Sequence, residues 1–209
     1  MDVPALSDIR TRMKAYTPTR IASEGNRRAA IALVLQGPDA DPRMLFIKRA
    51  EREGDPWSGQ MALPGGRFET EDSGDRQTAE RETHEEVGLS MEKASYLGQL
   101  DDQDGRPRSP SGGLVISAHA YVVSDAPPPV LLLSEEVAEA FWFPVSGLLE
   151  PSRHIEYQHP EAEAMTFPGI VVGDPQRHVV WGLTYRFLEI FLGIAGDPLP
   201  ERWSDLHKL

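Results

Sequence analysis

Apolar positions change their period several times along the chain, and each change marks an element. Leu6, Ile9 and Met13 recur at helical spacing and predict a short amphipathic helix over residues 4–15, ended before Thr17-Pro18. Two apolar runs, 29–35 and 44–47, are divided by the turn signal Gly37-Pro38-Asp39, so two neighbouring strands are expected. From 50 to 61 the chain is polar and carries turn formers. Leu63-Pro64-Gly65-Gly66 then opens a loop into a helix over 77–87, which Gly88 closes as a C-cap.

Residues 95–100 and 114–123 read as further strands. In the second, Val115, Ser117, His119 and Tyr121 alternate with Ile116, Ala118, Ala120 and Val122, which predicts one polar and one apolar face. After the Pro127-Pro128-Pro129 spacer come the stretch 135–143, a helical turn at 145–149, strands at 154–158 and 166–172, and the longest helix at 181–194. Without repeats or long linkers, this alternation describes a single mixed α/β domain over 1–209, with 1–26 as a helical extension.

Composition fits that picture: 209 residues, 40% hydrophobic and 26% charged, are those of an ordinary globular chain. The net charge of -12 excludes a sequence-independent grip on nucleic acid and disfavours anionic membrane surfaces. Cysteine is absent, which removes disulfides, zinc–thiolate sites and thiol nucleophiles together. The first residues lack the basic start and apolar run of a secretory signal, and a cytoplasmic location is expected. An acidic protein can still take an anionic substrate if bound cations invert the charge locally.

The residues 65–89 carry the chemistry. Glu82, Glu85 and Glu86 stand at i, i+3 and i+4, on one face of the predicted helix. Like charges at that spacing repel, and they occupy the last turn, where the helix dipole favours cations. A solvated acidic face is the ordinary account of such a run, but here the cluster adjoins a Gly-Gly loop whose backbone can approach closely. Three hard oxygen ligands beside Gly66 make a cage for Mg²⁺ or Mn²⁺, and divalent metals on carboxylates imply phosphate chemistry.

At this point the stretch resembles the Nudix box, through Gly66, Asp72, Arg81-Glu82, Glu85-Glu86 and Gly88-Leu89. Asp72 replaces the more usual Glu with one extra residue before Arg81, and Thr83 replaces an aliphatic residue. Both the Asp and the extra residue resemble the coenzyme A pyrophosphatase branch. So do 58–66 (SGQMALPGG), 109–113 (SPSGG), 136–144 (EVAEAFWFP) and 180–184 (VWGLT). The branch carries Leu-Arg-any-His before Gly-Gln, whereas this chain has Gly54-Asp55-Pro56-Trp57.

The resemblance implies a Nudix fold, an α/β/α sandwich around a mixed sheet, and a pyrophosphohydrolase that uses Mg²⁺ or Mn²⁺. It implies metal ligation by Gly66, Glu82, Glu85 and Glu86, and a catalytic set of Arg81 with those glutamates and Glu136, Arg81 orienting a glutamate. Glu139 is the alternative to Glu136 as a further ligand or base. Arg49, Arg52 and Trp57 are candidates for a recognition loop, with arginines on phosphate and the indole under a base, and Arg106 and Arg108 form a second cationic cluster. Coenzyme A or an acyl derivative is the expected substrate. A nucleotide sugar or other nucleoside diphosphate derivative remains open, as does a ligand sensor without hydrolysis. His84 is expected on the surface. Residues 181–194 are apolar around much of the helix, so core packing or a homodimer is expected there.

Overall fold

Strand β1 (Arg27–Gln36) sorts its residues onto two faces by alternation, and each face has its own core. The computed structural model describes residues 3–22, 27–55, 57–105, 113–123, 128–158 and 166–199. Ala30, Ala32 and Val34 pack with Leu45 and Ile47 of β2 (Arg43–Arg49) and with Ala79 and Val87 of helix α2 (Asp75–Val87). Leu33 and Leu35, on the other face, pack with Leu6, Ile9 and Met13 of α1 (Leu6–Ala15) and with Tyr185, Leu188 and Leu192 of α4 (Gly182–Ala195). The mixed sheet is thus covered by helices on both faces.

Strands β3 (Met61–Ala62), β2, β1, β7 (Leu114–Val122) and β5 (Ser95–Gln99) lie side by side in that order. Among the described residues, only β1 and β7 run parallel. Three further strands attach to this sheet: β4 (Gly65–Arg67) on β1, β6 (Gln103–Asp104) on β7, and β8 (Val137–Pro144) on β2. After α3 (Val145–Leu148) and a 3-10 turn at Pro151–Arg153, strands β9 (His154–Gln158), β10 (Thr166–Val171) and β11 (Val179–Val180) form a second, three-stranded sheet.

Two expectations change. Gly65-Gly66 is not a loop but strand β4, with Ala30 opposite Gly66 and Ile31 opposite Gly65. The polar face expected for β7 is not exposed either, since all nine of its residues are buried. It lies between β1 and β5, and each polar side chain has a partner: Ser117 Oγ donates to Asp102 at 2.8 Å, Tyr121 OH donates to Glu80 at 3.2 Å, and Tyr96 OH meets His119 Nδ1 at 3.1 Å. The apolar residues of α4 that pointed to core or dimer packing, among them Phe187, Leu188 and Phe191, are buried within their own chain. No helix among the described residues is long and apolar enough to cross a membrane.

Candidate active site

Helix α2 begins two residues before the expected start and ends where Gly88 takes a left-handed conformation, φ 68°, its N–H bonded to the His84 carbonyl. That fixed end presents the glutamates to β4. Glu86 is 3% exposed, and its Oε2 accepts a hydrogen bond from the Gly65 N–H at 2.9 Å. Burial pushes this carboxyl up to about 8, against the pull of the Gly65 N–H, and the neighbouring Glu82 adds to the rise. Glu82 is raised for the same first reason, opposed by Arg81. A Cβ at Gly66 would overlap the Glu82 carboxylate, so only glycine lets the strand and this side chain share the space.

Arg81 organises the outer side of this face. Its Nε and Nη2 each donate to Asp72 at 3.1 Å, Nη2 also donates to the Arg67 carbonyl, and Nη1 reaches Glu82 at 3.1 Å and Glu85 at 2.9 Å. The guanidinium is therefore a positioning group surrounded by protein acceptors. It holds Asp72 down to about 2. Thr83, in place of an aliphatic residue, is buried and bonds the Ala79 carbonyl. His84 is exposed, as expected.

Glu82, Glu86, Gly65 and Gly66 line one wall of a cleft of about 1090 Å³. The same cleft is lined by the loop after β2, with Arg49, Arg52 and Trp57, and by Glu136 just before β8. A register shift between Lys48 and Arg49 lets β8 carry one extra residue against β2 there, and such bulges re-aim side chains. Arg49 Nη2 pairs with Asp55 at 2.7 Å, its Nη1 lies 4.0 Å from Glu86, and its buried Nε has no hydrogen-bond partner among the described residues. Burial opposes ionisation of Asp55, but the Arg49 guanidinium holds it below its ordinary value. Arg52 Nη1 donates to Glu136 at 2.9 Å. Trp57 packs its half-buried ring against the core.

The structure brings Gly66, Glu82, Glu86, Arg49, Arg52, Trp57 and Glu136 to one cleft. Glu85 stands apart, exposed and turned to Arg81. Glu139 is held elsewhere, by Arg177 and by His178 Nε2 at 3.1 Å. Arg106 and Arg108, and the SPSGG stretch except Gly113, lie outside the described residues. Two residues that the motif does not point to, Arg27 and Arg67, also line the cleft. Their signal in the sequence was their position, one at a strand start and one just after Gly-Gly.

Among the described residues, no three acidic or imidazole groups already converge as a metal-binding set. The donor chemistry nevertheless fits a hard divalent cation: a buried Glu86 whose nearest guanidinium nitrogen is 4.0 Å away, a desolvated Glu82, and glycine backbone against both.

A family model described as the NUDIX domain matches residues 25–163 of this chain. The chain belongs to the Nudix family. The α/β/α Nudix fold and an enzyme of the pyrophosphohydrolase class stand with it. This Nudix hydrolase is 31% identical to an uncharacterised Nudix hydrolase, NudL, of Photorhabdus laumondii over 86% of its own length and 92% of that protein. It is 30% identical to the mitochondrial coenzyme A diphosphatase of Homo sapiens, over 78% of this chain and 67% of that one. It also matches an uncharacterised protein of Schizosaccharomyces pombe at 30% identity, covering 76% of this chain but only about half, 54%, of the relative.

Proposed function

We propose that this Nudix hydrolase cleaves the diphosphate of coenzyme A or acyl-coenzyme A with a divalent cation, Mg²⁺ or Mn²⁺, giving 3′,5′-ADP and a phosphopantetheine product. The observation that carries the reading is the cleft itself, where two desolvated carboxylates, Glu82 and Glu86, and several arginines line one space of about 1090 Å³. The likeness to a human protein named a coenzyme A diphosphatase supports the substrate.

Glu82, Glu86 and the Gly66 backbone would hold the cation, and Glu85 would join them on leaving Arg81. When bound, the cation supplies positive charge to the diphosphate oxygens and makes water more acidic. The chain's own residues do the rest. Arg81 holds Glu82 and braces the helix end against Asp72. Glu136, which lines the cleft, would take a proton from the attacking water. The water oxygen bonds to one phosphorus, the bridging P–O bond breaks, and its electron pair leaves with the departing phosphate. Arg49 and Arg52 carry the charge to meet the substrate's anionic groups once they exchange their carboxylate partners.

The motif departure at Gly54-Asp55-Pro56-Trp57 favours a second reading, a nucleotide sugar or another nucleoside diphosphate derivative as substrate. Hydrolysis assays with Mg²⁺ and Mn²⁺ over coenzyme A, acyl-coenzyme A, ADP-ribose and nucleotide sugars decide between them. The highest kcat/KM is expected on coenzyme A or its acyl derivatives. A nucleotide sugar cleaved best would establish the second reading, and inertness on all would point to a ligand sensor.

A further inference from the structure

The arginines along the cleft fall into two groups. Arg49 and Arg52 have carboxylate partners, Asp55 and Glu136. Arg27 and Arg67 line the same cleft, and neither has a carboxylate within ion-pair distance among the described residues. Adjacent positions on β1 sharpen the contrast. Arg28, on the other side of the strand, is ion-paired with Asp75 and its guanidinium lies 4.1 Å from the centre of the Phe68 ring. Arg27 projects to the cleft side, where no described carboxylate pairs with it.

Strand pairing puts Arg27 and Arg67 together. Arg67 of β4 stands opposite Ala29 of β1, and Arg27, two residues earlier, shares Ala29's side of the strand. Diagonal neighbours across an antiparallel pair are within reach for long side chains, and like charges so placed repel. A chain with 33 acidic residues against 21 basic ones has ample carboxylates to neutralise such a pair. Among the described residues, two cations instead line this cleft together without one.

We infer that Arg27 and Arg67 form a subsite for a phosphomonoester, a second anionic group that the substrate carries beyond its scissile diphosphate. The subsite deepens the reading of this cleft as a pyrophosphohydrolase site and rests on it. A phosphomonoester is the chemical feature that separates coenzyme A from nucleoside diphosphate derivatives lacking one. Its dianionic charge and three acceptor oxygens suit two guanidinium groups approaching from neighbouring strands. The selectivity therefore resides on β1 and β4, apart from the loop where the family's sequence pattern is broken.

The test compares coenzyme A with 3′-dephospho-coenzyme A on wild type, Arg27→Gln, Arg67→Gln and the double variant. Wild type should prefer coenzyme A by about tenfold or more in kcat/KM, and the double variant should bring that ratio close to one. An undiminished ratio in the double variant overturns the subsite. Calorimetry with adenosine 3′,5′-bisphosphate and 5′-AMP, without metal, gives a readout independent of turnover. Wild type should bind the bisphosphate about tenfold more tightly, and the double variant should bind both alike. Equal binding by wild type overturns the proposal. If wild type hydrolyses neither coenzyme A form but the binding difference is present and vanishes in the double variant, the subsite stands and the proposed substrate falls.

Discussion

Arg81 grips Asp72 with two parallel hydrogen bonds, Nε and Nη2 each 3.1 Å from a carboxylate oxygen. The Asp72 side chain is only 2% exposed, and this pairing, with the Glu69 N–H and Thr78 hydroxyl, anchors the segment before α2 to the helix that bears the glutamates. Because the folded carboxyl is depressed to about 2, its contribution to stability is present above its ordinary pKa and is lost as pH falls through about 2. Asp72→Asn should cost about 1–2 kcal/mol at pH 7, an effect that shrinks toward pH 3. Urea unfolding of both proteins across that range checks it. Equal stability at pH 7 would show the grip to be energetically idle.

Glu86→Gln should separate stability from catalysis. The buried carboxylate of Glu86 disfavours the folded state in the absence of a cation, so the amide, which can still accept from Gly65, should raise Tm by about 2–4 °C for each kcal/mol relieved. Activity should fall by orders of magnitude if Glu86 holds the cation as proposed. Added Mg²⁺ should raise the Tm of wild type and leave that of the variant almost unchanged. Calorimetric scans with and without the cation give the answer, and an equal metal response in both proteins would remove Glu86 from the ligand set.

Gly66→Ala tests the fit between strand and helix. The new methyl would collide with the Glu82 carboxylate, whereas the strand's backbone can otherwise accept alanine. A displacement of that carboxylate by about 1 Å should lower kcat roughly a hundredfold. Far-ultraviolet dichroism should remain that of the wild type. Full turnover by the variant would mean that Glu82 does not act from this position.

His119 supplies an acid-sensitive site in the core. It is 3% exposed, and burial holds it down to about 4, with Arg20 and Arg76 pushing the same way and Asp102 opposing. The unfolded chain therefore takes up the proton first, so stability falls as pH drops from about 6.5 toward 4. Between pH 7 and 5 this group should remove about 2 kcal/mol. In His119→Gln that component should be absent, as denaturant titrations at the two pH values will reveal.

Local patterns were enough for the helices and long strands. Leu6, Ile9 and Met13 share a face in sequence and in space, and the glutamates sit on α2 as their i, i+3, i+4 spacing requires. What local pattern could not give was pairing across long distances. The alternation in β7 reads as half-exposed until β5, the segment 101–102 and α2 supply partners for Ser117, His119 and Tyr121. Gly65-Gly66 looks like a loop until β1 offers its free edge. In the site, spacing placed Glu82 and Glu86, but the turning of Glu85 toward Arg81 and of Glu139 toward His178 depends on side-chain competition.

Strand β1 meets β4 at its beginning and β2 at its end on the same edge, while β7 runs alongside it throughout on the other. The chain between those two partners, including the loop with Arg52 and Trp57, therefore leaves and rejoins the sheet at points fixed by separate hydrogen bonds. Insertions or exchanges in that loop can reshape one rim of the cleft while Gly65 and Gly66 keep their register beside the glutamates. Changes in that loop reach the rest of the cleft through Arg49 and Arg52, beside Glu86 and Glu136, while the β1–β4 register stays where it is.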